Sequence, residues 1–231
     1  MLISEIFYSV QGEGQLTGVP SVFIRTSGCN LRCAWCDTPY ASWHPEGINL
    51  TIPQILDKVL QFPARHCVIT GGEPMIARNI RELAAALHTA GFHITIETAG
   101  TVSPQGILCD LVSLSPKLAN SRPSLETTDA AWVTRHEKNR LVPTILQQWV
   151  AQYSFQFKFV FSHPEDLEEI QAVVTSIGQP IPPSQILLMT EGTEEATMKM
   201  RQDAVLAICL QYGYRYCDRM HIRLFGNTKG T

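Results

Sequence analysis

The sequence predicts an α/β fold in which mostly parallel strands are covered by helices, and two observations lead to this prediction. First, short apolar segments rich in β-branched residues alternate with segments of helical spacing along most of the 231 residues. Second, glycine-rich and polar residues follow directly after the predicted strands. In a parallel barrel the carboxyl ends of the strands meet at one face and form the active site. We therefore expect a partial TIM-like β/α barrel, that is, an incomplete or modified one, with one shared site.

The predicted elements follow one another in the order that such a barrel requires. Strands are predicted at 21–29, 66–74, 93–100, 110–117, 155–161 and 185–190, with additional edge strands at 1–10 and 221–225. Helices are predicted at 51–62, 80–91, 142–153, 164–176 and 193–212. Thr51 is a suitable cap for the first helix, and Gly91 closes the second. Residues 121–140 match no motif, so they are interpreted as a surface insertion or as part of a dimer contact.

Composition indicates a soluble globular enzyme and restricts the classes of partner that we expect. The chain is 45% hydrophobic and 17% charged, with 18 basic and 21 acidic residues and a net charge of −3. We therefore expect neither a nucleic-acid partner nor a membrane partner, since no apolar stretch reaches membrane-spanning length. The start of the chain lacks a basic segment and does not predict a secretory signal. With no linker to divide the chain, we expect a single domain over 1–231.

Seven cysteines, an odd number clustered towards one end, favour metal binding in a reducing, cytoplasmic compartment over a disulfide framework. Cys29, Cys33 and Cys36 lie close together in the sequence, and no fourth cysteine follows nearby. Structural zinc sites and electron-transfer clusters normally use four protein ligands. An iron–sulfur cluster that lacks a fourth protein ligand leaves one iron open, and that iron can bind a substrate or cofactor. Buried free thiols are the preferred interpretation of Cys67, Cys109, Cys209 and Cys217.

The spacing Cys-x₃-Cys-x₂-Cys, with Trp35 before the last cysteine, resembles the signature of radical S-adenosylmethionine (SAM) enzymes. The segment TGGEP at 70–74 resembles the second marker of that superfamily. The resemblance implies a [4Fe-4S] cluster on the three cysteines, with the amino and carboxylate groups of SAM on the open iron. Glycines at this turn would let the backbone approach SAM closely. A simple turn is the alternative for TGGEP, and Trp35 could pack near the adenine or only fill the loop.

The stretch at 9–41 resembles the 7-carboxy-7-deazaguanine synthase family, and the resemblance continues at 97–101, 115–117 and 221–227. It implies conversion of 6-carboxy-5,6,7,8-tetrahydropterin to 7-carboxy-7-deazaguanine with loss of ammonia, in 7-deazapurine (queuosine, preQ0) biosynthesis. The implied course is hydrogen abstraction at C6 and magnesium-assisted ring contraction, with SAM used catalytically. The family also implies a homodimer and an electron donor such as flavodoxin or ferredoxin. Residues 1–20 are expected to form a substrate-binding segment, and 28–40 the cluster loop.

Site residues are predicted partly from chemistry and partly from this resemblance. An arginine in an apolar strand is rarely unpaired, so Arg25 is a candidate for the substrate carboxylate. Glu97 and Glu13 are candidates for paired N–H groups of the pterin, although Glu13 could be a solvated turn residue. Thr38 is implied to coordinate magnesium, with an ordinary turn as the alternative. The expected SAM-binding residues are Trp35, Gly72, Glu73, Ser113, Ser115 and Lys117. The expected substrate-binding residues are Val10, Gln11, Gly12, Glu13, Arg25, Thr70, Glu97 and His221.

Two other functions fit parts of the sequence. A glycyl-radical-enzyme activase has the same cysteine spacing and a similar GGEP segment, but acts on the backbone of a partner protein. Arg25 and the QGEG segment, suited to a small anionic substrate, argue against it. A zinc-binding interaction module is the less favoured alternative. Two assignments stay open: Lys117 could be a surface lysine, and His221 could cap the last strand.

Overall fold

A computed structural model describes residues 1–231 and shows one sheet of nine strands that does not close into a barrel. The strand order is β3-β1-β2-β4-β5-β6-β7-β8-β9. From β2 to β9 every neighbouring pair is parallel, while β1 pairs antiparallel with both β2 and β3. The prediction of a partial barrel with mostly parallel strands is therefore confirmed. None of its helices is both long and apolar enough to cross a membrane.

The elements have bounds close to those that the sequence predicts. The strands are β1 (Leu2–Val10), β2 (Pro20–Thr26), β3 (Ile48–Asn49), β4 (His66–Gly71), β5 (His93–Thr98), β6 (Leu111–Leu114), β7 (Phe155–Phe161), β8 (Ile186–Thr190) and β9 (Arg215–Cys217). The helices are α1 (Pro39–Ser42), α2 (Ile52–Val59), α3 (Ile80–Thr89), α4 (Ala130–Asn139), α5 (Pro143–Gln152), α6 (Asp166–Ser176), α7 (Glu195–Tyr212) and α8 (Met220–Phe225). Short 3₁₀ turns lie at Pro74–Ile76, Ala119–Ser121 and Pro183–Gln185.

The core lies between the sheet and the helices that follow its parallel strands. A cluster of 34 buried residues contains the large side chains Trp149, Phe157 and Phe159. Central parallel strands are buried on both faces, so they are almost continuously apolar. The predicted cap of the first long helix is present, because Thr51 accepts a hydrogen bond from the Gln54 amide in a capping box. Burial of this core fixes the ends of the strands and hence the site that they carry.

Two parts of the chain differ from the sequence interpretation. Residues 221–225 were expected to form an edge strand, but they lie in helix α8, and β9 is the edge strand instead. Only Ile222 of this segment is buried. Its carbonyl accepts a hydrogen bond from the Gly226 amide, so the backbone forms helical hydrogen bonds instead of joining the sheet. Five residues are too few to distinguish a strand from a helix by periodicity. The segment 121–140, unplaced from sequence, contains α4, which packs against the cluster loop rather than standing alone.

Candidate active site

A large open cavity lies at the carboxyl ends of the parallel strands, where a β/α barrel carries its chemistry. About 1330 Å³ of empty space, including its mouth, is enclosed by residues from the cluster loop, the QGEG segment and the ends of the strands. The cavity contacts all three clustered cysteines, Cys29, Cys33 and Cys36. The lining also includes Arg25 and Glu97. Sequence segments that lie far apart in the chain therefore form one site.

The three cysteines lie at one cavity but do not form a site for a single metal ion. No three His, Cys, Asp or Glu side chains converge closely enough to hold one metal ion. Zinc would need its thiolates within about 2.3 Å of one point. A cluster of several irons instead accepts thiolates that are spread around its edges. Burial raises the pKa of the Cys29 and Cys33 thiols to about 12, so the charge of a bound metal group would be needed to ionise them.

The turn after β4 is built for close backbone approach. A Cβ atom at Gly72 would overlap the carbonyl oxygens of Gly28 and Ala41 and the side chain of Cys29, so only glycine fits there. The Glu73 amide donates to the Gly28 carbonyl at 2.9 Å, which ties this turn to the start of the cluster loop. The turn therefore sets the position of the first cysteine.

Glu73 does not line the cavity, although the sequence suggested that it would contact SAM. Its carboxylate is fully buried and accepts hydrogen bonds from the Thr98 hydroxyl at 2.7 Å and the amides of Ala99 and Met75. Burial raises its pKa, although these three donors partly offset the effect. Glu73 thus joins the ends of β4 and β5 beneath the cavity floor, and its carboxylate has no free face for an ammonium group.

Of the other expected SAM-binding residues, Trp35, Gly72, Ser115 and Lys117 line the cavity, and Ser113 does not. Lys117 donates to the carbonyl and hydroxyl oxygens of Ser115 at 2.8 and 2.7 Å, and its ammonium lies 5.6 Å from the centre of the Trp35 ring. It is therefore not a free surface lysine. Ser113 is buried and accepts a hydrogen bond from Gln156 at 2.9 Å, so its hydroxyl is used within the sheet.

The opposite wall of the cavity combines an aromatic pair with Arg25. Phe7 and Phe23 stack with their ring centres 4.8 Å apart, and both contact the cavity. The Nε atom of Arg25 donates to Glu5 at 2.6 Å, which leaves its two terminal nitrogens without a partner in the chain. Burial opposes the charge of Arg25, but Tyr40 and Glu5 outweigh it and raise its pKa. Arg25 is thus a fixed cation beside a flat apolar wall.

The QGEG segment reaches over the cavity and is tied to the end of β5. The side-chain amide of Gln11 donates to Glu97 at 3.2 Å, while its oxygen accepts the Glu13 amide at 3.1 Å. A Cβ atom at Gly12 would overlap the imidazole of His221, so a glycine is needed where α8 meets this segment. Burial lowers the pKa of His221, although Glu13 works in the opposite direction. Val10, Thr70 and His221 also line the cavity, which places all eight expected substrate residues around one space.

Glu13 lies in a network of buried ion pairs rather than in solvent. It is paired with Lys158 of β7 and with Arg219, whose Nε atom lies 3.0 Å away. Arg219 also binds Asp37 of the cluster loop and donates to the Gly192 carbonyl at 2.5 Å. Burial opposes ionisation of Glu13, but Lys158 and Arg219 outweigh it and lower its pKa. Arg219 therefore connects three loops at the cavity.

Thr38 stands where the cluster loop enters α1, and it lines the cavity. The nearest partner of this hydroxyl is the Cys36 sulfur at 3.9 Å, and it makes no capping hydrogen bond to the helix. The ordinary turn that the sequence offered as an alternative would use this hydroxyl, and here it is available to a ligand. Asp37, beside it, also lines the cavity but is engaged by Arg219.

Three charged residues of this site were not identified from the sequence. Asp37, Lys158 and Arg219 all carry their charge at or next to the cavity. A lysine within the apolar run FQFKFVF was a usable signal, since a buried charge requires a partner. Nothing in the sequence around Arg219 indicates its partners, because they lie near the other end of the chain.

Comparisons with known proteins agree with this geometry. The family model described as the Radical SAM superfamily matches residues 23–130. The chain is 46% identical over 231 residues to 7-carboxy-7-deazaguanine synthase of Rhodopirellula baltica, covering 100% of this chain and 89% of that protein. It is 39% identical to the protein of the same name from Halobacterium salinarum, with 99% and 92% covered. The crystal structure of QueE from Escherichia coli superposes with a TM-score of 0.72 at 25% identity, covering 95% of this chain and 94% of that one.

The partial barrel, the three-cysteine loop and the family match define a radical SAM enzyme. The chain belongs to the 7-carboxy-7-deazaguanine synthase family, whose curated members match it over its full length. It is accordingly a radical SAM lyase of 7-deazapurine biosynthesis, and its family implies a [4Fe-4S] cluster and SAM as cofactors.

Proposed function

We propose that the chain converts 6-carboxy-5,6,7,8-tetrahydropterin to 7-carboxy-7-deazaguanine with loss of ammonia. The observation that carries the proposal is the shared cavity, in which the three cysteines, Arg25 and Glu97 face one space. The cluster side suits the cofactors, and the opposite side suits a flat, anionic, nitrogen-rich ring. The names of the full-length relatives support the same product. We further propose that residues 1–231 work as one domain, with 1–20 the substrate segment and 28–40 the cluster loop.

Arg25 would bind the carboxylate of the pterin. Its two terminal nitrogens are unpaired within the chain, and a guanidinium offers two parallel donors to a carboxylate. Glu5 fixes the direction of the side chain from behind, so little rotamer freedom is lost on binding. The stacked pair Phe7 and Phe23 would cover one side of the bound molecule and exclude water from it.

Glu97 would accept hydrogen bonds from the amino-pyrimidinone edge of the ring. Gln11 already donates to one oxygen of Glu97, and the Lys158 ammonium lies 3.8 Å from the same oxygen. Both contacts hold the carboxylate in place, and its other oxygen accepts no hydrogen bond within the chain. Glu13 would contribute mainly by holding the QGEG segment in place, because its oxygens are engaged by Lys158 and Arg219.

The cofactors would be held by the residues on the other side of the cavity. Cys29, Cys33 and Cys36 would bind the cluster, and Gly72, Ser115 and Lys117 would border SAM. When bound, the cluster and SAM supply the radical that removes a hydrogen atom from C6 of the pterin. Thr38 would contribute one oxygen ligand to magnesium, with water and substrate oxygens completing the shell. Magnesium in that place would polarise the substrate during the later ring closure.

The proposal also includes two partners that rest on the family resemblance. A radical SAM enzyme needs a one-electron donor, and a flavodoxin or a ferredoxin fits this need. A homodimer is the expected assembly.

Anaerobic turnover with purified components tests the proposal. The reconstituted protein is mixed with SAM, the pterin, magnesium and dithionite, and products are identified by mass spectrometry. We expect 7-carboxy-7-deazaguanine without any added protein substrate, together with about four irons per chain. Absence of this product from cluster-loaded protein would refute the proposed reaction. Zinc in place of iron would favour the interaction module, and activity only with a partner polypeptide would favour the activase.

A further inference from the structure

The outer side of the cluster loop, opposite the cavity, is covered by the segment that the sequence left unplaced. The amide of Ala34 donates to the Ser121 carbonyl at 2.9 Å, and the amide of Arg32 donates to the His136 imidazole at 3.1 Å. The guanidinium of Arg32 lies 3.8 Å from the centre of the Trp132 ring. Ala34 itself, between two cluster cysteines, is exposed. The helix α4 and the turn before it thus contact the cluster loop on this side, where Ala34 is open to solvent.

This surface carries a basic face, which we define as Arg32, Arg122, Arg135 and Lys138. Three of these side chains are exposed, Arg32 is half-buried, and none of the four forms an ion pair. Arg135 lies 4.7 Å from the same Trp132 ring that Arg32 covers, so two cations share one aromatic ring. Positive charge is therefore concentrated at the cluster loop of a chain whose net charge is −3.

The acidic residues of the same segment offset this face only in part, because five cations (the basic face and Arg140) stand against three carboxylates. Glu137 is paired with Arg140, and Asp129 accepts the amide of Trp132 as the cap of α4. Glu126 is the only other acidic residue between 119 and 140. A patch that keeps a net positive charge attracts an anionic partner and raises its association rate. Four cations spread over a loop, a turn and a short helix fit a small acidic protein better than the continuous backbone of a nucleic acid.

We propose that the basic face is the docking surface for a small acidic one-electron carrier protein, which reduces the cluster through the outer side of the cluster loop. The inference rests on the proposed function, and it adds where the donor binds. In the transfer the carrier loses one electron and the cluster gains one, with no bond made or broken. Because the cavity is reserved for SAM and the pterin, a protein donor has to approach from this other side. The aromatic ring of Trp132 holds two of these cations, Arg32 and Arg135, beside the cluster loop.

The test compares two triple variants with equal changes in charge. The first reverses the basic face by Arg122→Glu, Arg135→Glu and Lys138→Glu, sparing Arg32 because it donates to the Cys29 carbonyl. The control variant carries three reversals at exposed cations away from the cluster loop: Lys58→Glu, Arg65→Glu and Lys199→Glu. Iron content and circular dichroism show that both variants fold and load the cluster.

Two readouts are measured with a small acidic flavodoxin as the probe. The first is its dissociation constant from the reconstituted enzyme at low and high ionic strength, and the second is turnover driven by reduced flavodoxin or by dithionite. We expect the face variant to bind flavodoxin at least about tenfold more weakly at low salt, and to lose a similar factor of flavodoxin-driven turnover. Its dithionite-driven turnover should stay within about twofold of wild type, since dithionite needs no docking surface. The control variant should resemble wild type in both assays.

The proposal is overturned if wild-type enzyme fails to bind flavodoxin, if the face variant binds it as well as wild type, or if the control variant loses as much. A wild-type enzyme that binds flavodoxin but makes no product even with dithionite would contradict the proposed function. In that case the dissociation constants of wild type and the two variants would test the docking surface on their own.

Discussion

Replacement of Arg219 by glutamine should destabilise the protein strongly, because this one side chain pairs two carboxylates from different loops. Its side chain is 6% exposed, and those of Glu13 and Asp37 are 12% and 38% exposed. Removing one partner from a buried ion pair costs about 3 to 5 kcal/mol, since the other charge stays buried. Asp37 is screened by solvent and Glu13 keeps Lys158, so the lower end, about 3 kcal/mol, is expected. For a chain of this length that is a fall in Tm of about 6 to 12 °C.

Thermal unfolding followed by circular dichroism under anaerobic conditions measures this effect. Arg223→Gln on the next turn of α8 is the matched control, because Arg223 pairs with Asp218 and Glu195 at the surface and should cost less than about 1 kcal/mol. Arg219→Lys should recover part of the loss, since it keeps the charge but cannot contact all three groups. Equal Tm changes in the Arg219→Gln and Arg223→Gln variants would refute the reasoning.

The same pair of variants carries a pH signature. The folded-state pKa of Glu13 lies below its ordinary value of 4.5, so its ion pairs stabilise the protein above that pH and are lost as pH falls. In the Arg219→Gln variant the pKa of Glu13 should be lowered less than it is in wild type. Arg219 also lowers the pKa of His221 from 6.5, so the difference in stability between wild type and variant should be constant above about pH 6.5 and shrink on acidification. A difference that grows as pH falls would contradict the assignment.

Other residues give independent predictions. Thr38→Val should raise the magnesium concentration for half-maximal turnover at least about tenfold, whereas Thr38→Ser should not; equal responses would exclude the hydroxyl as a ligand. Cys36→Ala should lose most of its iron, while Cys217→Ala should keep about four irons per chain, as measured by iron and sulfide analysis. Arg25→Gln should raise the KM for the pterin roughly 10- to 150-fold, the equivalent of a lost charge-assisted hydrogen bond, and an unchanged KM would be contrary evidence. Burial lowers the pKa of His66 to about 4, so stability should fall as pH drops from 6.5 towards 4, and His66→Asn should flatten this slope.

Most of the fold could be predicted from sequence because the central strands are long, apolar and followed by glycine or polar residues. The run at 155–161 is a strand over its whole length, and Thr51 caps α2 as its residue type indicates. The sequence predicts a strand where helix α8 lies, because Ile222 is the only buried residue of that helix. A segment that short has no usable period.

The candidate site could be predicted where its residues come from contiguous motifs, and not where they meet only after folding. The cysteine loop and the GGEP turn are each readable within a few positions. Glu13, which pairs with both residues, lies 145 positions from Lys158 and 206 positions from Arg219, so neither ion pair leaves a local pattern in the sequence. Glu73 belongs to a motif that is readable from sequence, but the direction of its side chain is not. Three donors within the fold bind its carboxylate away from the cavity.

Turnover of 6-carboxytetrahydropterin that carries deuterium at C6 tests the central claim most directly. If one cavity holds the cluster, SAM and the pterin together, product formation should be accompanied by deuterium in the SAM recovered from the reaction, because SAM is used catalytically. The recovered SAM is analysed by mass spectrometry, with unlabelled pterin as the control. Formation of 7-carboxy-7-deazaguanine with no deuterium in SAM or in 5′-deoxyadenosine would contradict hydrogen abstraction at C6. Failure to form the product at all would contradict the proposed function.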